Sequence, residues 1–124
     1  MNKTHEVSPA KALALINNGA LLVDVREPKE VASKSFDVST IAQIPLRELK
    51  NRFQEIPVDR KVIIACHSGN RSLMATRFLM NHGYTQVVNM QQGIVRWEKE
   101  GLPVKNELKQ KSGSRLMQFL LGKS

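Results

Sequence analysis

The sequence predicts an α/β domain in which helices flank a mostly parallel central sheet, and three observations predict it. Through the first hundred residues, short apolar runs alternate with segments of helical periodicity. The runs Leu21 to Val25 and Lys61 to Ala65 are short and apolar enough to be buried strands. At 124 residues the chain suits one core and leaves no room for two.

The elements follow in order. Ser8-Pro9 offers an N-cap with proline at the first helical position, and the helix runs through Ala12, Leu13 and Ile16 to a stop at Gly19. Leu21-Leu22-Val23-Asp24-Val25 is the first strand. A short helix begins near Pro28, and Ile41 to Ile44 reads as a second strand closed by Pro45. Leu46, Leu49, Phe53 and Ile56 then recur at helical spacing before Pro57. Lys61-Val62-Ile63-Ile64-Ala65 is the strongest strand signal and ends at Cys66; beyond the next loop, Leu73, Ala75, Phe78 and Leu79 mark a helix that stops at Gly83.

Composition narrows the function classes. Hydrophobic residues at 41% and charged residues at 24% describe an ordinary globular chain rather than a disordered one. Nineteen Lys and Arg against eleven Asp and Glu give a net charge of +8, which attracts anions of many kinds. Half of that excess lies in residues 105–124, with five basic groups and one acidic. There Lys105 to Ser114 reads as a linker, and Arg115 to Leu121 as a short basic amphipathic helix. Such a tail suits packing on the domain or contact within a homodimer, with fraying or an acidic membrane surface as the alternatives. The expected division is therefore a domain over residues 5–104 and a tail over 105–124. A lone cysteine forms no internal disulfide and the opening Met-Asn-Lys-Thr-His-Glu has no secretory hydrophobic core, so a reducing cytoplasm is the expected compartment. No apolar run approaches the roughly 18 residues of a membrane span. Six aromatic residues, none interleaved with a basic stripe, give no support for nucleic-acid binding, and no clustered ligand set points to a metal.

The chemistry concentrates after the strongest strand, in Cys66-His67-Ser68-Gly69-Asn70-Arg71-Ser72. This places a cysteine at the carboxyl end of a parallel strand and before the start of a helix, where open α/β sheets bind their ligands. Unpartnered N–H groups and the helix dipole favour negative charge there, and a thiolate is such a charge. Gly69 lets the loop curl so that successive N–H groups point inward as a nest. Arg71 adds a permanent cation and a two-pronged donor for an oxyanion. A solitary cysteine is ordinarily a small buried hydrophobe. A chance Cys-x-x-Gly-x-Arg-Ser in a chain of this length is on the order of one in a thousand, which reverses that reading. His67 is either a proton carrier or a polar loop residue, while Ser68, Asn70 and Ser72 suit holding the loop, with Ser72 a candidate helix cap.

In these residues the chain resembles a single-domain rhodanese, a family of sulfurtransferases. Leu22-Val23-Asp24-Val25-Arg26-Glu27-Pro28 is similar to the family's first signature and Cys66 to Ser72 to its active-site loop. Gln92-Gly93-Ile94-Val95-Arg96-Trp97, through Gly101-Leu102-Pro103-Val104, resembles its closing segment. One stretch departs: where the family usually has Gly-His-Ile and a Pro-Gly-Ala-containing turn, this chain reads Lys34-Ser35-Phe36-Asp37-Val38-Ser39-Thr40.

The resemblance implies a three-layer rhodanese-like fold and a two-step transfer. Cys66 takes the outer sulfur of thiosulfate or a persulfide donor, holds it as a persulfide, and passes it to a thiophilic acceptor: cyanide in assays, a thiol or protein in nature. His67 to Ser72 would contact substrate, with Arg71 on the donor's oxyanion, and Asp24 and Arg26 would brace the fold. The resemblance implies no metal or organic cofactor. Related phosphatases and arsenate reductases use a longer Cys-x5-Arg loop, whereas the tighter curl of Cys66-x4-Arg71 fits a sulfur atom more readily than a tetrahedral phosphate. The competing expectation is a non-catalytic binding or redox-sensing module that acts with a protein partner.

Overall fold

Val62–Ala65 has every residue buried, and that uniform burial is what a middle strand of a covered parallel sheet requires. In the computed structural model, which describes residues 5–106, this strand (β5) lies at the centre of a five-stranded sheet. Its neighbours are Leu21–Asp24 (β2) and Val87–Met90 (β6); Ile41–Gln43 (β4) and Glu6–Val7 (β1) form the edges, giving the order β1-β6-β5-β2-β4. Every pairing is parallel, with Leu22 opposite Ile63 and Ile63 opposite Val88.

Alternation along β5 divides the core. Val62, Ile64 and Cys66 face one cluster with Val23, Val25, Ile44, Leu49, Ala75 and Leu79. This cluster is covered by Leu46–Arg52 (α3) and Asn70–Met80 (α4). Ile63 and Ala65 face the other cluster, with Ala12, Ile16, Leu22, Met90, Ile94 and Trp97 beneath Pro9–Asn17 (α1) and Gly93–Lys99 (α5). The α/β class and the flanked parallel sheet thus match the sequence expectation. So does the α1 cap, where Ser8 Oγ accepts the Lys11 N–H at 3.1 Å.

The elements that go beyond that expectation rest on distant partners. β1 and β6 add two strands to the sheet. The atypical stretch after Pro28–Ser33 (α2) forms Lys34–Phe36 (β3), which pairs antiparallel with Val104–Asn106 (β7) in a separate two-stranded sheet. Phe36 meets the ring of Trp97 edge-on at 5.2 Å, and the indole N–H donates to the Pro103 carbonyl at 2.7 Å. β7 carries regular pairing to Asn106, two residues past the expected boundary at 104. The expected helix at 115–121 lies outside the described residues.

One buried ion pair fixes the carboxyl end of β2. Arg26, 3% exposed, donates through Nε and Nη2 to both carboxylate oxygens of Asp24, at 2.8–3.2 Å. Its Nη2 also reaches the Lys34 carbonyl at 2.9 Å, so the pair ties β2 to the start of β3. The guanidinium stands over the Phe36 ring, 5.6 Å from its centroid. Asp24→Asn leaves that buried cation uncompensated and is expected to cost about 3–5 kcal/mol, read as a fall in the urea midpoint.

Candidate active site

The sulfur of Cys66 sits where β5 ends and the chain turns toward α4. Two backbone N–H groups donate to Sγ, from Gly69 at 3.1 Å and from Ser72 at 3.3 Å. The thiol is also 3.3 Å from the Ser72 hydroxyl, which in turn donates to the Gly69 carbonyl at 3.2 Å. When the sulfur ionises, the Ser72 O–H can turn to it as a third donor. Gly69 occupies the position before α4 with φ +106°, a left-handed conformation that glycine alone adopts without strain. The helix cap expected at Ser72 is therefore Gly69, and Ser72 lies a turn further in, fully buried against the sulfur.

The loop is held from behind by α5. The N–H groups of Ile94 and Val95 belong to the first turn of that helix, which has no intrahelical acceptors for them. They donate instead to the carbonyls of Cys66 at 2.9 Å and His67 at 3.1 Å. Because the peptides are trans, drawing these carbonyls toward α5 turns the N–H groups of His67 and Ser68 to the opposite side. Gly93, at φ +54°, makes this approach close: a Cβ there would collide with the carbonyl oxygens of both Cys66 and His67. Gly93 is a site-shaping residue absent from the sequence-derived set, and its signal is the Gln92-Gly93 pair that opens the closing segment.

The remaining loop residues divide by exposure. His67, Ser68 and Asn70 are exposed, Arg71 is half-buried, and Cys66 itself is 1% exposed. Arg71 is engaged across the fold: Nη1 and Nη2 donate to the two carboxylate oxygens of Glu30 on α2, at 2.7 and 2.8 Å. Glu30 Oε1 also accepts the Glu27 N–H at 2.9 Å, completing a capping box at the start of α2. The Arg71 hydrogen bonds hold the Glu30 carboxyl down at about 2. Asp24 and Arg26 form the buried pair beneath this region rather than part of the loop. A cavity of about 610 Å³ lies on the Ser68 side, lined also by Gln92, Val95, Arg96, Lys99 and Glu100. A second, of about 260 Å³, lies on the His67 side. Among the described residues no cluster of His, Cys, Asp or Glu is assembled that could hold a metal ion, and no helix is long and apolar enough to cross a membrane.

A cysteine sulfur set by loop amides at the end of the central strand defines an α/β domain of the cysteine-loop type. A family model for the rhodanese-like domain matches residues 8–100, and the chain belongs to that family. Its relatives carry sulfur-transfer names. It is 43% identical over 84 residues to a sulfurtransferase from Allochromatium vinosum, covering 68% of this chain and 77% of that one. It is 33% identical over 102 residues to the thiosulfate sulfurtransferase GlpE of Actinobacillus pleuropneumoniae, covering 80% and 91%. Among solved structures, a rhodanese-related protein from Thermoplasma volcanium superposes with a TM-score of 0.74 at 31% identity, over 82% of this chain and 97% of that one. Sulfur transfer is the general activity to which the domain belongs.

Two outcomes follow from this geometry. Gly93→Ala forces α5 away from the loop and is expected to cost about 2–4 kcal/mol, a fall of about 10 °C or more in Tm by calorimetry. Glu30, whose folded pKa lies below the unfolded value of 4.5, stabilises the fold fully above pH 4.5 and loses that contribution as pH falls toward 2. Urea titrations of the wild type and Glu30→Gln should differ by a constant amount above pH 4.5, about 1 kcal/mol after allowing for solvent screening at this partly exposed pair, and converge below it.

Proposed function

We propose that the protein moves sulfane sulfur from thiosulfate or a persulfide donor to a thiophilic acceptor through a persulfide on Cys66. The observation that carries this reading is the pair of backbone N–H groups converging on Sγ at the carboxyl end of the central strand. The donors that hold the Cys66 sulfur also suit a terminal persulfide sulfur, which is an anion.

In the first step the Cys66 thiolate attacks the outer sulfur of thiosulfate. A new S–S bond forms, the old one breaks, and sulfite leaves with the electron pair while the negative charge passes to the terminal sulfur. In the second step an acceptor thiolate attacks that terminal sulfur, carries it away, and returns Cys66 as thiolate. Atoms and electrons balance over the cycle without a metal or organic cofactor. The N–H groups of His67 and Ser68, turned away from α5, would be further donors for an added sulfur that extends toward them. Because Cys66 is almost fully buried, admitting the donor requires a local opening at the loop. Gly69 and Ser72 would hold the sulfur on both sides of the cycle. At the rim, the sulfonate of thiosulfate would compete with Glu30 for Arg71.

The relatives named as thiosulfate sulfurtransferases support this donor, and the one named as a putative sulfur carrier protein, from Bacillus subtilis, supports a protein acceptor. A structural neighbour described as a polysulfide-sulfur transferase homodimer, from Wolinella succinogenes, supports self-association. We place the reaction in a reducing cytoplasm, where a lone thiol stays available. Incubation with thiosulfate should add one sulfur, about 32 Da, to the peptide bearing Cys66, and a thiol acceptor should remove it. Cys66→Ser should abolish both; an unmodified Cys66, or transfer that survives Cys66→Ser, overturns the reading.

A further inference from the structure

The protein carries a net charge of +8, yet Arg71 of the cysteine loop and two cations near it, Arg26 and Lys34, are each paired with a carboxylate. Arg71 is bound by Glu30 through two hydrogen bonds at 2.7 and 2.8 Å. Arg26 is bound by Asp24, and Lys34 by Glu98 at 2.7 Å. Of these, Arg26, Glu30, Lys34 and Glu98, together with His67, help to line the cavity on the His67 side. On the Ser68 side Arg96 is likewise bound by Glu100, and Lys99 is the remaining cation of that groove. A small dianion such as thiosulfate is best held by an uncompensated guanidinium, whose fork matches its oxygens. The loop contains one guanidinium, and a carboxylate already occupies both prongs.

We propose that Glu30 is a specificity-determining residue: by neutralising Arg71 it weakens loading from small dianionic donors relative to organic persulfides, which bring no sulfonate to the loop. This rests on the Cys66 sulfur-transfer reading. Glu30 acts through Arg71 and touches neither the sulfur nor the donor. Its own position is set independently, since Oε1 is held by the Glu27 N–H at the start of α2. The carboxyl, held at about 2, stays ionised across the neutral range, so the neutralisation is a standing feature of the site. For an organic persulfide R–S–SH the Cys66 thiolate takes the outer sulfur and a thiolate R–S⁻ leaves, a step in which no oxyanion needs a cation.

Glu30→Gln removes the charge while keeping an amide oxygen for the Glu27 N–H, so the α2 cap survives. The test compares single-turnover loading of Cys66, by mass, in the full chain with thiosulfate and with cysteamine hydropersulfide, whose ammonium and persulfide charges cancel. Glu30→Gln should raise the second-order rate with thiosulfate about tenfold and leave the rate with cysteamine hydropersulfide within twofold. The gain should vanish in Glu30→Gln/Arg71→Gln, because the released guanidinium is its source. Thiosulfate loading that is unchanged or slower in Glu30→Gln while the persulfide still loads overturns the proposal and leaves the transfer reading intact. So does an equal fall with both donors, which would make Glu30 a prop for the loop, or a gain that persists in the double variant. Failure of both donors to load wild-type Cys66 overturns the transfer reading and the proposal together.

Discussion

The structure depends on how the peptides of the cysteine loop are oriented, and that orientation is imposed from two sides at once. Carbonyls of Cys66 and His67 are drawn back by the first turn of α5, while amides of Gly69 and Ser72 are drawn forward onto the sulfur. Each set of bonds satisfies backbone groups that burial would otherwise leave unpaired. A helix start needs acceptors for its orphan N–H groups and a buried sulfur needs donors, so one stretch of chain supplies both. Two glycines make it sterically feasible, Gly69 through its left-handed backbone and Gly93 through the absence of a Cβ.

Charge is organised on two scales. Over the whole molecule the positive excess sets a long-range field that favours anionic partners. Around the loop the pairs Arg26–Asp24, Arg71–Glu30 and Lys34–Glu98 cancel locally, within distances shorter than the screening length of physiological salt. On the proposed role of Glu30, encounter and selection are separable: the first belongs to the surface as a whole, the second to one carboxylate.

Much of this was legible in the sequence wherever the signal was local. Ser8-Pro9, the apolar runs at 21–25 and 61–65, and the strand-loop-helix passage through Cys66 each carry their geometry in consecutive residues. What escaped depends on partners far along the chain. Val87–Met90 includes a buried Asn89 and becomes a strand because β1 and β5 lie on either side of it. Lys34–Phe36 is a strand through its pairing with Val104–Asn106, and Phe36 is buried where Trp97 and Arg26 meet its ring. The Glu30–Arg71 pair spans 41 residues. Ser72 invites reading as a cap by its residue type, but the curl of the loop turns its hydroxyl inward onto the sulfur.

The placement of Cys66 directly after β5 also bears on local opening. Sheets fray from their margins, and the strand with hydrogen-bonded neighbours on both flanks and helices over both faces parts from the rest only when the domain as a whole unfolds. Cys66 thus directly follows the strand best protected from local opening, while His67 and Ser68 after it are exposed residues of a turn. Motions of that turn can be rapid without shifting the sulfur from its seat.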